Sequence, residues 1–190
     1  EALFLLNERG KAMQEAVKIG EGKMIAVLGC ELARINKILD DNKDSNFICE
    51  IANDNSTGQI ILSGLKKSVE KIQEDLKKEK IKNIVLPVSA PFHCSLMKPA
   101  SEKMSTKISS VNFIRPNIEI ISNVTASAEN EPTKIKSLLI KQIYSLVRWR
   151  ESMLFMANNG IKEFIEIGPG KVLSGLVKRT LKNHTVLNIN

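Results

Sequence analysis

Between residues 23 and 88 the apolar pattern changes period several times, and the order of those changes restricts what this chain can fold into. Residues 23–29 are a continuous apolar strand. Leu32, Ile35 and Leu39 then recur at helical spacing across 31–41. Phe47, Cys49 and Ile51 alternate over 46–52, Asn55-Ser56-Thr57-Gly58 makes a turn, and 59–62 is a strand again. Leu65, Val69, Ile72 and Leu76 return to helical spacing within 65–80, and 83–88 closes as a strand. A period near 3.6 buries one face of a helix, and a period of two buries one face of a strand. The resulting order, β-α-β-β-α-β, is the ferredoxin-like order and is short enough for a subdomain.

The flanking segments have a different style. Ala2, Leu5, Leu6, Met13, Ala16 and Val17 share one face of a helix over 2–18, which Gly20-Glu21-Gly22 ends. Arg9 falls on that apolar face. A guanidinium there must find an anion, in an internal salt bridge or a carboxylate ligand, or snorkel out to water. Beyond 88 the pattern predicts helices at 98–110 (Pro99 in its first turn), 133–143, 149–158 and 171–182, with strands at 118–121, 164–167 and 186–189. Strands alternating with helices predict a parallel α/β sheet. Residues 1–21 and 89–190 then form one layered domain, interrupted by the insert 22–88.

Composition removes several function classes. With 43% hydrophobic and 26% charged residues the chain is globular. Its longest apolar runs, such as Met24-Ile25-Ala26-Val27-Leu28, are far short of the ~20 residues of a spanning helix. No association with membrane is expected. Cys30, Cys49 and Cys94 cannot all pair and share no C-x-x-C spacing, which predicts buried reduced thiols in a cytoplasmic protein and no metal site. The net charge of +7 permits an acidic partner. No aromatic sits in a Lys/Arg-flanked strand, as a base-stacking sheet would need, so no nucleic acid is expected. A ferredoxin-like nucleic-acid binder is the reading this disfavours.

Chemistry concentrates after the strand 83–88. His93 lies in a strand-to-helix loop, where open α/β sheets place their sites. Cys94 beside it invites a thiol-nucleophile reading, although sequence neighbours rarely face each other. His184, in Lys182-Asn183-His184-Thr185, reads as a surface residue. Gly168-Pro169-Gly170-Lys171 fails the phosphate-loop pattern and reads as a tight strand-to-helix turn, whose N–H groups could still favour an anion.

Pro91-Phe92-His93-Cys94-Ser95-Leu96-Met97 resembles the P-[FS]-H-[CS]-x-L-M segment of malonyl-CoA–acyl-carrier-protein transacylases. Four further segments resemble that family in order: Arg9-Gly10-Lys11-Ala12-Met13-Gln14, Asn55-Ser56-Thr57-Gly58-Gln59, Gln142-Ile143-Tyr144 with Val147-Arg148-Trp149, and Glu166-Ile167-Gly168-Pro169-Gly170-Lys171-Val172-Leu173. The resemblance implies an α/β-hydrolase-like domain with an inserted ferredoxin-like subdomain. It implies transfer of malonyl from malonyl-CoA to the phosphopantetheine thiol of acyl carrier protein in fatty acid biosynthesis, by a Ser–His ping-pong mechanism without cofactor. It assigns His93 as general base, the Gln142 backbone carbonyl as its orienting partner, Arg9 as the clamp on the malonyl carboxylate and Asn55 as a substrate contact.

One departure stands against this. The family's serine lies in G-H-S-x-G on a strand-to-helix elbow upstream of the Arg helix, and no G-x-S-x-G exists here. The expectation is therefore the C-terminal part of such an enzyme, inactive alone, a monomer when complete. The alternative is a non-catalytic remnant that binds carrier protein or coenzyme A.

Overall fold

The structure, a computed structural model, describes residues 1–190. Eight strands and seven helices alternate along it. The first run is α1 (Ala2–Glu15), β1 (Gly22–Leu28), α2 (Leu32–Asp41), β2 (Cys49–Ser56), β3 (Gln59–Leu65), α3 (Lys66–Lys78) and β4 (Lys82–Val85). The second is α4 (Lys98–Ser110), β5 (Ile120–Ser122), β6 (Ser127–Glu129), α5 (Pro132–Gln142), α6 (Trp149–Asn158), β7 (Glu163–Ile167), α7 (Val172–Thr180) and β8 (Thr185–Ile189).

Strands β1 to β4 form one antiparallel sheet in the order β2-β3-β1-β4, the ferredoxin-like arrangement the apolar periods predict. Ile25 and Val27 of β1, with Ile60 and Leu62 of β3, pack under Ile35, Ile38 and Leu39 of α2 and Val69, Ile72 and Leu76 of α3. The opposite face, Met24, Ala26, Ala52 and Ile61, is covered by Leu86 and Phe92. A sheet that stacks nucleic-acid bases leaves that face open; here it is closed.

Several boundaries move for local reasons. The segment expected as a strand over 46–52 starts only at Cys49, because Asp44 holds a turn with the amides of Asn46 (2.9 Å) and Phe47 (3.2 Å). The strand then continues to Ser56, taking in the first two residues of the turn expected at 55–58, while Thr57 and Gly58 remain the turn. α1 ends at Glu15, and Leu6 on its expected buried face is 62% exposed. The strand expected at 118–121 becomes β5, which pairs with β6 in an antiparallel hairpin. The turn between them is shaped by Ala126 at φ 52° and by Ser122 Oγ accepting from the Val124 amide. β7 and β8 do pair in parallel, across five residues each.

Gly64 marks the closest backbone approach. A Cβ there would lie 2.0 Å from the Ile48 carbonyl oxygen, a backbone atom with no freedom to withdraw. Gly10, mid-helix in α1, has nothing within 4 Å of such a Cβ. Gly64→Ala should therefore destabilise the fold by ~1–3 kcal/mol or more, whereas Gly10→Ala should stabilise it by ~0.5–1 kcal/mol. Urea unfolding midpoints of the two variants check both signs.

Candidate functional site

A cavity of about 880 Å³ opens between α1, β2, α4 and the segment from α5 to α6. Arg9, Asn55, His93 and Gln142, singled out in the sequence, all line it. Its apolar wall includes Leu5, Met104, Ile108, Val147 and Leu176.

His93 follows β4 by way of Pro87 and Pro91 and is held at φ 57°. A non-glycine residue in this left-handed region costs ~1–2 kcal/mol. Anchors on the C-terminal side hold it there. Cys94 Sγ donates to the Pro91 carbonyl at 3.1 Å. The Ser95 amide donates to both oxygens of Glu50 on β2, at 3.2 Å each, and Ser95 Oγ donates to the same carboxylate. The ring is then fixed from across the cavity, with its Nδ1 3.0 Å from the Gln142 backbone carbonyl at the end of α5. A carbonyl only accepts, so Nδ1 carries the hydrogen and Nε2 keeps its lone pair. Burial is the main cause that pushes the His93 pKa down, and the positive charge of Arg9 adds to it. The backbone of Gln142 and Ser145 opposes both. The balance favours a neutral imidazole, the form that accepts a proton.

Arg9 makes no ion pair and no hydrogen bond within the chain, so the internal salt bridge is excluded. The neighbouring Glu8 binds Lys107 and Lys11 instead. Burial pushes the Arg9 pKa down from its usual value, which is the signature of a cation short of compensation.

Cys94 is fully buried and its thiol is pushed up to about 11 by burial. It is a packing residue, not a thiolate. His184 is half-buried at the surface, with Nδ1 2.9 Å from the Lys182 carbonyl and its ring tilted 5.9 Å from Phe164. Beyond the glycine turn, the protein supplies its own anion to the helix start. Glu166 of β7 occupies the N–H groups of Leu173 (3.1 Å) and Ser174 (2.8 Å) at the start of α7. Gly168 and Gly170 take φ 127° and 89°, which only glycine adopts without strain.

Asn53, Asn123 and Trp149 also line the cavity, and sequence reading missed them. Asn53 carried a signal: it stands two residues before Asn55, so a strand running through both places them on one face. Ending the strand at 52 hid it.

Folding keeps His93 deprotonated to lower pH than in the unfolded chain. Stability from this source is complete above the unfolded value of about 6.5 and declines as pH falls from there toward the lower folded value. The His93 ring-proton titration, followed by NMR, should have its midpoint below that of a free histidyl peptide. Arg9→Ala should raise that midpoint by removing the repelling charge.

The whole chain has recognisable relatives. Residues 1–189 match the acyl transferase domain. The malonyl CoA-acyl carrier protein transacylase of Salmonella typhimurium is 37% identical over 191 residues, covering 100% of this chain and 62% of its own length. A crystal structure of an acyl carrier protein S-malonyltransferase from Vibrio cholerae superposes with a TM-score of 0.95 at 40% identity, covering 100% of this chain and 62% of that one. A malonyl-transacylase solved in complex with its type II polyketide acyl-carrier protein superposes with a TM-score of 0.93 at 35% identity, covering 100% and 61%. The chain thus spans less than two thirds of the length of these relatives.

Proposed function

The chain belongs to the acyl transferase family, and from that premise we propose that its protein transfers malonyl from coenzyme A to the phosphopantetheine thiol of an acyl carrier protein, in fatty acid biosynthesis. One observation carries the reading: an arginine without an ion-pair partner, Arg9, shares a cavity with a histidine whose Nδ1 is already committed to a carbonyl. A malonyl thioester has a carboxylate for the first and a carbonyl to be attacked beside the second.

The chemistry is a two-step exchange. A serine hydroxyl gives its proton to His93 Nε2 as its oxygen attacks the thioester carbonyl. The carbon–sulfur bond breaks, and the coenzyme A thiolate leaves with that proton. The carrier thiol then gives its proton to His93 and attacks the malonyl ester, and the serine oxygen leaves protonated. The Gln142 carbonyl holds the ring for both transfers. Arg9 grips the carboxylate through a planar fork that lysine lacks, and Asn55 contacts the bound acyl group. The serine is supplied from outside these 190 residues, since no G-x-S-x-G lies within them.

Residues 1–21 with 89–190 are read as the acyltransferase domain and 22–88 as its insert, a division supported by a core cluster confined to residues 25–76. The complete enzyme is read as a monomer. The basic balance suits an acidic carrier. No helix is long and apolar enough to cross a membrane. Three buried free thiols support a cytoplasmic setting.

Incubated with malonyl-CoA, the 190-residue chain should gain no malonyl adduct by intact mass; a stable adduct would point to another nucleophile. In the complete enzyme His93→Ala should lower transfer by ~10²–10⁴, the usual contribution of a positioned base. Arg9→Ala should lower the malonyl-over-acetyl ratio of kcat/KM by roughly ten- to a hundred-fold, because a charge-assisted bond is worth ~1.5–3 kcal/mol and acetyl presents no charge. An unchanged ratio in a folded variant would remove the malonyl assignment.

A further inference from the structure

Asp54 is a carboxylate in the interior of the molecule, and nothing in the proposed chemistry uses it. It sits in β2 between Asn53 and Asn55, and its side chain is 2% exposed. Strand alternation turns it away from the two asparagines, which line the cavity with Arg9 and His93. Its one ion-pair partner is Arg150, in the first turn of α6. The contact is a fork: Arg150 Nε lies 3.0 Å from each carboxylate oxygen and one terminal nitrogen 2.7 Å from Oδ2.

The backbone around the pair explains why a fork is needed there. The β2–β3 register slips between Ile51 and Asn53 and again between Asp54 and Ser56, so the ladder to β3 is interrupted on both sides of Asn53 and Asp54. The segment before α6 takes over. The Asp54 amide donates to the Val147 carbonyl at 3.0 Å, the Val147 amide donates to the Ala52 carbonyl at 2.8 Å, and Asn53 bridges Val147 in parallel. Val147 and Trp149 line the same cavity on the other side of that seam.

We propose that Asp54 and Arg150 are positioning residues: their fork locks the bulged stretch of β2 to the start of α6 and so sets Asn53 and Asn55 against the acyl end of the cavity. The pair touches no substrate. It acts on how tightly malonyl-CoA is held, and leaves His93, anchored from Gln142 and Glu50, in place. This rests on the malonyl-transfer reading for its kinetic consequence only; the mechanical consequence stands apart from it.

The test uses the complete enzyme. Asp54→Asn should raise KM for malonyl-CoA about tenfold while kcat stays within about threefold, since one weakened hydrogen bond to the bound acyl group is worth about a factor of ten in affinity. In the same variant the backbone amides of Val147 and of the substituted position 54 should exchange with solvent at least about tenfold faster, with those of β1 unchanged. Should the unpaired, half-buried arginine prevent folding, Asp54→Asn/Arg150→Gln leaves no uncompensated charge and carries the same two expectations. Wild-type exchange at those amides overturns the proposal. So does faster exchange with an unchanged KM, which would make the pair a mere tether. If the wild-type enzyme transfers no malonyl, the functional reading fails, and the exchange rates alone still decide whether the fork holds the segment.

Discussion

Burial of the β1–β4 sheet on both faces is the constraint from which the site's geometry follows. Ile25, Val27, Ile60 and Leu62 need the two helices above them, and Met24, Ala26, Ala52 and Ile61 need a cover below. Phe92 supplies part of that cover, and His93 is the next residue. A strand apolar at successive positions therefore demands a lid, and the lid carries the imidazole. Each fully buried aliphatic side chain is worth ~1.5–3 kcal/mol, enough to offset the left-handed backbone at His93.

The electrostatics of the cavity follow from what orients the ring. A carboxylate facing Nδ1 would raise the imidazole pKa and favour the charged form. A backbone carbonyl orients the ring with a weaker pull, so burial and the Arg9 charge prevail and the pKa falls. The arginine thus discourages protonation of its neighbour, and in the proposed reading it also holds the substrate's carboxylate. Both depend on keeping Arg9 free of an internal partner, and the acidic Glu8 beside it is drawn away to Lys107 on α4.

Legibility differed from element to element. Helix 149–158 was readable to its ends, and α3 nearly so, because three or four apolar residues at one spacing define a face without outside help. β2 was not. Its N-terminal boundary belongs to an aspartate-centred turn, and its C-terminal half pairs with Val147, about ninety residues away in the chain. Asn53 was lost with that half. The fate of the glycine turn was hidden for a related reason: Glu166, which fills the helix start, looks from the sequence like an ordinary solvent-facing strand residue.

Alone, the sequence determined the period of each segment, the order of elements in the ferredoxin-like sheet and the residue types able to move a proton or bind a carboxylate. These are properties of neighbours, and hydrophobic spacing reports neighbours. Tertiary structure decided which of those residues meet. His93 reaches Gln142 across 49 residues and Asp54 reaches Arg150 across 96. No local pattern encodes such separations. They are set when two layers of apolar surface find each other and buried polar groups must take the partners that remain.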